Sequence, residues 1–316
     1  ESQKKINEIY EKIKKPIPNE FNNISNISNS NNKSNGELVE EYEKNMTKDE
    51  YKAAIEKCIE NIYSGEIIQV VFSQRLTKKT KASAIEIYRC LRTINPSPYM
   101  FLLNLDEFQI LGASPELLVK SSNKQLSVHP IAGTRPRGVD SEEDEKIANE
   151  LINDEKELAE HLMLLDLGRN DVGRVSMPGS VNVNQKMEIE KYSHIMHIVS
   201  NVTGTLKDEL DEFDALRAAF PAGTVSGAPK VRAMQLISEL EPEKRGPYSG
   251  GVGYFSYNGN MDTCIAIRTL VLKDETVYIQ AGGGIVADSK VENEYEETLN
   301  KMMALIRSVD EAERNL

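Results

Sequence analysis

The chain is expected to fold as α+β, with large antiparallel β-sheets flanked by helices. Three features of the sequence carry that expectation. Strand-like runs follow one another across short turns: Phe101–Leu105, the pair Asp106-Glu107 and Phe108–Ala113 read as a hairpin. Long helical stretches with their own capping residues stand between such groups of strands. No regular alternation of strand and helix and no repeat runs through the chain, so nothing points to a doubly wound parallel sheet.

In order along the chain, residues 1–15 place Ile6, Ile9, Tyr10 and Ile13 at helical spacing between lysines and glutamates. With nothing nearby to bury that stripe, they read as the tail helix of a preceding region. Residues 16–46 read as a linker, because positions 19–35 hold eight Asn and four Ser among seventeen, a composition that cannot build a core. Residues 47–313 read as the folded domain. Thr47 with Glu50 forms a capping box for a helix whose stripe is Tyr51, Ile55, Cys58, Ile59 and Ile62, ended by Gly65. Ile67 to Leu76 is a strand in which Gln69 shares a face with Ile67, Val71 and Ser73. Ser83 and Glu86 cap the next helix, through Arg92. Asn95-Pro-Ser-Pro-Tyr-Met100 is a turn into the hairpin, and strands continue around Leu117–Lys120 and Leu126–Ile131. His129-Pro-Ile-Ala-Gly-Thr-Arg-Pro-Arg137 then reads as a rigid loop, and Ser141 opens a helical region to about Arg174.

Composition narrows the function classes. The 316 residues can form one large domain with ample core. The net charge of -12 argues against nucleic acid as a partner. No apolar run could span a membrane and no signal-peptide pattern opens the chain, so a cytoplasmic protein is expected. Cys58, Cys90 and Cys264 are odd in number and far apart, which fits neither a disulfide framework nor a zinc site.

The chemistry concentrates in Ala281-Gly-Gly-Gly-Ile285 and the helix after it. A glycine run lets a ligand approach the backbone and leaves N–H groups for an anion. Beyond it, Glu294 and Glu297 share a helix face, with Lys301 one turn on. Alone, this is as readily a solvated, salt-bridged surface helix. A second pair, Glu157 and Glu160, alters the balance, because two glutamate pairs can surround one divalent ion with oxygen donors of the kind Mg2+ takes. Gly223-Thr-Val-Ser-Gly-Ala-Pro-Lys230 lacks the glycine and lysine spacing of a phosphate loop. Gly250, Gly251 and Gly253 do not open a helix after a parallel strand, which excludes a dinucleotide fingerprint.

Four segments are more specific than any of these patterns: Pro130-Ile-Ala-Gly-Thr-Arg-Pro-Arg-Gly138, the stretch from Asp154 to Asp171, Phe220-Pro-Ala-Gly-Thr-Val-Ser-Gly-Ala-Pro-Lys230 and Tyr248-Ser-Gly-Gly-Val-Gly-Tyr254. Together and in this order they resemble the chorismate-utilising enzymes, over about residues 47–310. The resemblance implies antiparallel sheets around a central active-site cleft and an Mg2+-dependent reaction on chorismate, a ring carrying two carboxylates. It places Glu157, Glu160, Glu294 and Glu297 about the metal, with Glu160 and Glu297 as the direct contacts. It assigns the second carboxylate to Arg268, Tyr248 and the backbone of Gly282, Gly283 and Gly284, and gives Lys301 positive charge near the metal end. It makes Glu116 the general acid, His197 the group assisting proton removal, and Thr134 and Thr224 pocket residues. Asn95, Pro96, Pro98, Tyr99 and Met100 match one wall of a tryptophan feedback pocket, whose other wall, a Leu-Leu-Glu-Ser segment, has no match in this sequence.

Two positions point to a branch. Relatives that add water carry lysine where this chain has Gln69, and a neutral amide cannot serve as that base. Relatives making 4-amino-4-deoxychorismate, for the folate pathway, commonly carry a nucleophilic lysine at Ala132. The anthranilate-forming branch is therefore expected, with the aminodeoxychorismate branch as the alternative and an aminodeoxyisochorismate-forming one third. The resemblance further implies ammonia delivered by a separate glutamine amidotransferase subunit.

Overall fold

A computed structural model of the chain describes residues 2–14, 33–192 and 195–314. Helix α1 (Ser2–Ile13) leaves Ile6, Ile9 and Tyr10 exposed. Ser34, Thr47 and Ser83 then stand in extended backbone and form reciprocal capping boxes with Glu37, Glu50 and Glu86. They open α2 (Asn35–Glu40), α3 (Lys48–Tyr63) and α4 (Ala84–Ile94). The expected linker is therefore too long at its C-terminal end. Residues 35–46 carry α2 and the short strand β1 (Glu43–Lys44), and Leu38, Val39, Tyr42 and Met46 are buried. Polarity upstream conceals these four apolar side chains in a composition average. Residues 15–32 lie outside the described residues.

The remaining strands are β2 (Gln69–Lys79), β3 (Tyr99–Leu105), β4 (Phe108–Ser114), β5 (Leu117–Ser122), β6 (Gln125–Val128), β7 (Ile131–Pro136), β8 (Asn182–Lys191), β9 (Ile195–Thr205), β10 (Gly227–Ala228), β11 (Gly251–Phe255), β12 (Met261–Ile265), β13 (Thr269–Lys273) and β14 (Thr276–Ile285). The other helices are α5 (Ser141–Ile152), α6 (Glu155–Val175), α7 (Glu212–Ala219), α8 (Lys230–Leu240) and α9 (Val291–Arg314). All strand pairs are antiparallel, in two seven-stranded sheets. The first runs β1-β2-β14-β13-β4-β3 with β10 also on β2; the second runs β11-β12-β5-β6-β9-β7 with β8 on β9.

The chain passes between sheets from β4 into β5 and back from β12 into β13. In the first sheet β4 pairs with β13, and in the second β5 pairs with β12. One two-stranded ribbon thus belongs to both sheets and bends at Pro115-Glu116 and Ala266-Ile267-Arg268. Hydrogen bonds hold the bend: Ala113 N–H to Arg268 O (3.1 Å), Ile265 N–H to Glu116 O (3.0 Å) and Ser114 Oγ–H to Ile265 O (2.6 Å). An acid and an arginine are brought side by side where neither sheet continues.

Helices α4 and α9 cover one face of the first sheet, and Met302, Leu305, Ile306 and Val309 of α9 join Leu91, Leu111 and Ile279 in its core. Each such buried side chain contributes about 2 kcal/mol. Tyr51, Ile55, Phe72, Leu236 and Tyr295 gather α3, α8 and the start of α9 over β2. Helices α6 and α7 cover the second sheet through Leu165, Val172, Ala215 and Ala219 on Leu126 and Val202.

Two expected elements differ. The stretch from Ser141 is two helices, because Asp154 leaves helical backbone and accepts from the Lys156 and Glu157 amides, starting α6 afresh. The expected loop at His129–Arg137 is mostly strand β7, which shares one edge of β9 with β6. Pro130, lacking an N–H, interrupts the ladder between them, and Gly133 (φ 62°) supplies the bulge. Among the described residues no helix is long and apolar enough to cross a membrane.

Candidate active site

At the bend of the shared ribbon, Glu116 accepts a hydrogen bond from Thr224 Oγ1 (2.8 Å), presented by a 3-10 turn at Gly223–Val225. A small cavity adjoins the pair, walled by Leu118, Leu164, Leu167, Ala219 and Ile265. Burial pushes the Glu116 carboxyl up to about 7, against the opposing pull of Thr224, Arg268 and Lys301. Arg268 has left-handed backbone (φ 49°), a conformation non-glycine residues enter at a cost, and the tight crossover requires it. Its guanidinium makes no hydrogen bond or ion pair among the described residues, and burial lowers its proton affinity against the raising charges of Tyr248, Glu116 and Glu297. A half-buried guanidinium without a partner has its donors free for an anion.

Tyr248 is held by a network absent from the sequence reading. Arg245 pairs with the buried Glu241 (2.6 and 2.9 Å), donates to Val71 O and Val225 O, and lies 5.4 Å from the Tyr248 ring centre. The spacing of Glu241 and Arg245 was the available signal, but a surface pair looks the same in sequence.

His197 on β9 faces Thr134 on β7. Its Nδ1 lies 2.9 Å from Gly133 O and 3.1 Å from Thr134 Oγ1. A carbonyl only accepts, so the contact with Gly133 O is made by an Nδ1–H donor.

The glycine run was expected to leave the strand as one cradle. Instead Gly282, Gly283 and Gly284 are all inside β14, opposite Ser73, Phe72 and Val71, so successive positions look to opposite faces. A Cβ on Gly282 would stand 3.0 Å from Tyr248 Oη, and one on Gly284 2.6 Å from Gln69 Nε2. One on Gly283 would meet Glu294 Oε2 at 3.1 Å. Gly282 and Gly284 line the cleft beside Tyr248 and Gln69, and Gly283 makes room for α9.

The four glutamates come from α6 and α9. Gln69 Nε2 donates to Glu160 Oε1 (3.1 Å) across the gap between the sheets. Burial, then the charge of Glu157 and more weakly that of Glu297, raises the Glu160 carboxyl; burial and Glu297 raise Glu294. Glu297 therefore neighbours both buried carboxylates. Glu157 pairs with Arg135 (2.9 Å) and Glu297 with Lys301 (2.5 Å), which also donates to Gly282 O (3.0 Å). Among the described residues no group of three or more candidate metal ligands is gathered. Glu294 Oε2 and Gln69 Oε1 are buried acceptors without a donor. The two lie toward opposite faces of β14, Gln69 with Glu160 on the Gly284 side and Glu294 on the Gly283 side, and carboxylate oxygens such as these are the donor type that a hard divalent cation takes.

Asn95, Pro96 and Pro98 lie between α4 and β3, while Tyr99 and Met100 open β3; Tyr99 Oη donates to Asp262 of the second sheet (3.1 Å). The buried pair Lys230–Asp171 (2.9 Å) ties α8 to α6 beside the cavity.

Two antiparallel sheets share a bent ribbon, and Glu116, Arg268 and Tyr248 at the bend lie within electrostatic reach of Lys301 and Glu297 of α9. Residues 2–307 match the family model described as chorismate binding enzyme, and the chain belongs to that family. It is 58% identical over 274 residues to anthranilate synthase component 1 of Cereibacter sphaeroides, covering 87% of this chain and 55% of that protein. The protein of the same name in Pseudomonas putida is 55% identical over 274 residues, covering 87% and 56%. The chain thus spans about half the length of these curated relatives. The crystal structure of anthranilate synthase component I from Streptococcus pneumoniae superposes with a TM-score of 0.84 at 42% identity, covering 96% of this chain and 66% of that one.

Proposed function

We propose that this chain is the synthase component of an anthranilate synthase, converting chorismate and ammonia into anthranilate and pyruvate. The observation that carries the reading is Glu116: a half-buried carboxyl at the sheet crossover, held by Thr224 and pushed up to about 7, with the unpartnered Arg268 guanidinium near it. Arg268 and Tyr248, with the cleft-facing Gly282, receive the enolpyruvyl carboxylate. Glu116 in its acid form donates a proton to the departing ring hydroxyl as ammonia bonds to C2 and the ring double bonds shift. His197 takes the C2 proton, the enolpyruvyl C–O bond breaks with its electron pair going to oxygen, the ring becomes aromatic, and the released enolate takes up a proton at its methylene carbon to become pyruvate.

Glu160 and Glu297, with Glu157 and Glu294 around them, would hold Mg2+, whose charge lets a dianion approach this acidic wall. Gln69 supports the amination branch, because its Nε2 is committed to Glu160 and an amide cannot deprotonate water. Ala132 offers no covalent alternative. Ammonia comes from a glutamine amidotransferase partner: burial pushes Cys58 up to about 12 and both Cys90 and Cys264 up to about 11, so none of the three is a reactive thiolate. The Asn95–Met100 wall is one half of a tryptophan pocket whose other wall this sequence does not match, so this chain is expected not to bind tryptophan at micromolar concentration by calorimetry, and the compartment is the cytoplasm. The test is product identification from chorismate, Mg2+ and ammonium salt. Anthranilate fluorescence is expected, and accumulation of 4-amino-4-deoxychorismate instead would transfer the chain to the alternative branch.

A further inference from the structure

The four glutamates are not equivalent. Glu160 and Glu294 have no cationic partner among the described residues, whereas Glu157 and Glu297 each hold a cation from the chain itself. Lys301 and Glu297 share one helix, so their pairing is local. Arg135 is different. Its guanidinium forks between two carboxylates of α6, Nη1 to Glu157 Oε1 (2.9 Å) and Nη2 to Asp154 Oδ2 (3.0 Å), while Nη1 also donates to Thr134 O (3.0 Å). Its backbone belongs to β7, the strand that supplies both groups holding His197 Nδ1.

We infer that Arg135 is a positioning residue that occupies Glu157 in place of the divalent cation and yields it when the cation arrives. The fork makes this exchange inexpensive, because Asp154 keeps one arm of the guanidinium while Glu157 turns to the metal. Asp154 also caps α6 through the Lys156 and Glu157 amides, so this anchor stays in place. Because Arg135 adjoins Thr134, metal arrival loosens one tether of β7 at the place where substrate and base meet. The inference rests on the proposal that these glutamates bind a divalent cation.

Mn2+ binding to the full chain without chorismate, measured by calorimetry and by the electron paramagnetic resonance of free Mn2+, separates the two. Arg135→Gln removes the competing charge and is expected to bind Mn2+ about threefold to fivefold more tightly than wild type. Arg135→Lys restores a cation and is expected to return toward the wild-type value. Asp154→Asn keeps the helix cap but leaves Arg135 with Glu157 as its sole carboxylate, so Mn2+ binding is expected to weaken. A residue that merely braced the strand would not tighten binding when removed. Unchanged or weaker Mn2+ binding in Arg135→Gln, beside a wild type that binds, overturns the role of Arg135 alone. Absence of Mn2+ binding by the wild type overturns the metal proposal and this inference with it.

Discussion

Replacing Glu116 by Gln keeps the shape and the contact with Thr224 but removes the proton. The wild-type carboxyl is displaced from 4.5 to about 7, which is worth roughly 3 kcal/mol between its two protonation states, as an upper bound. The sign follows from linkage. Between about pH 4.5 and 7 the unfolded chain has released this proton and the folded one retains it, so wild-type stability falls as pH rises through that window and the loss is complete above it. An amide carries no such penalty. Glu116→Gln is therefore expected to match wild type near pH 4.5 and to exceed it above pH 7, by at most roughly 3 kcal/mol. Urea unfolding at matched pH values measures this directly. In the same variant, turnover of chorismate with ammonium is expected to drop by about 10²- to 10⁴-fold, the usual yield of a general acid. The wild-type rate should decline above about pH 7 as the acid form is lost. A variant that is more stable at high pH yet fully active would refute the catalytic half of this reasoning. Parallel pH–stability curves would refute the electrostatic half.

Thr224→Val removes the hydrogen bond that holds the Glu116 carboxyl down, so the alkaline limb of the rate profile should move up by about one pH unit, read from initial rates. Arg268→Lys loses the fork that meets a carboxylate, and KM for chorismate is expected to rise about tenfold or more. Gly284→Ala places a methyl 2.6 Å from Gln69 Nε2, itself tied to Glu160. The expected outcome is weaker Mn2+ and chorismate binding with stability lowered by about 1–3 kcal/mol, measured by calorimetry and urea unfolding. Chelation with EDTA is expected to abolish turnover, and added Mg2+ to restore it.

Local grammar was legible along most of the chain. Thr47 with Glu50 and Ser83 with Glu86 begin helices where their side chains can satisfy the first amides, and that chemistry lies within four residues. The hairpin at Asp106-Glu107 is legible for the same reason. Asp154, which starts α6 within one apparent helical run, and β7, hidden between two prolines, were not. The cap at Asp154 is local but stands inside a continuous helical pattern that hides it, whereas β7 depends on a pairing partner more than sixty residues away, as in Ala132 opposite Ile198.

The amino-acid order alone settled the family, the antiparallel hairpins and the i, i+3 glutamate pairs, because short motifs and helical spacing are properties of short stretches. Only the folded chain decided that Gly283 turns away from Gly282 and Gly284, that His197 is protonated at Nδ1, and that Glu157 holds Arg135 rather than standing free. Contacts such as Thr224 to Glu116 and Gln69 to Glu160 join residues 108 and 91 positions apart. Burial and hydrogen-bond partnership are set by such neighbours in space, and a carboxylate's charge state is set by both.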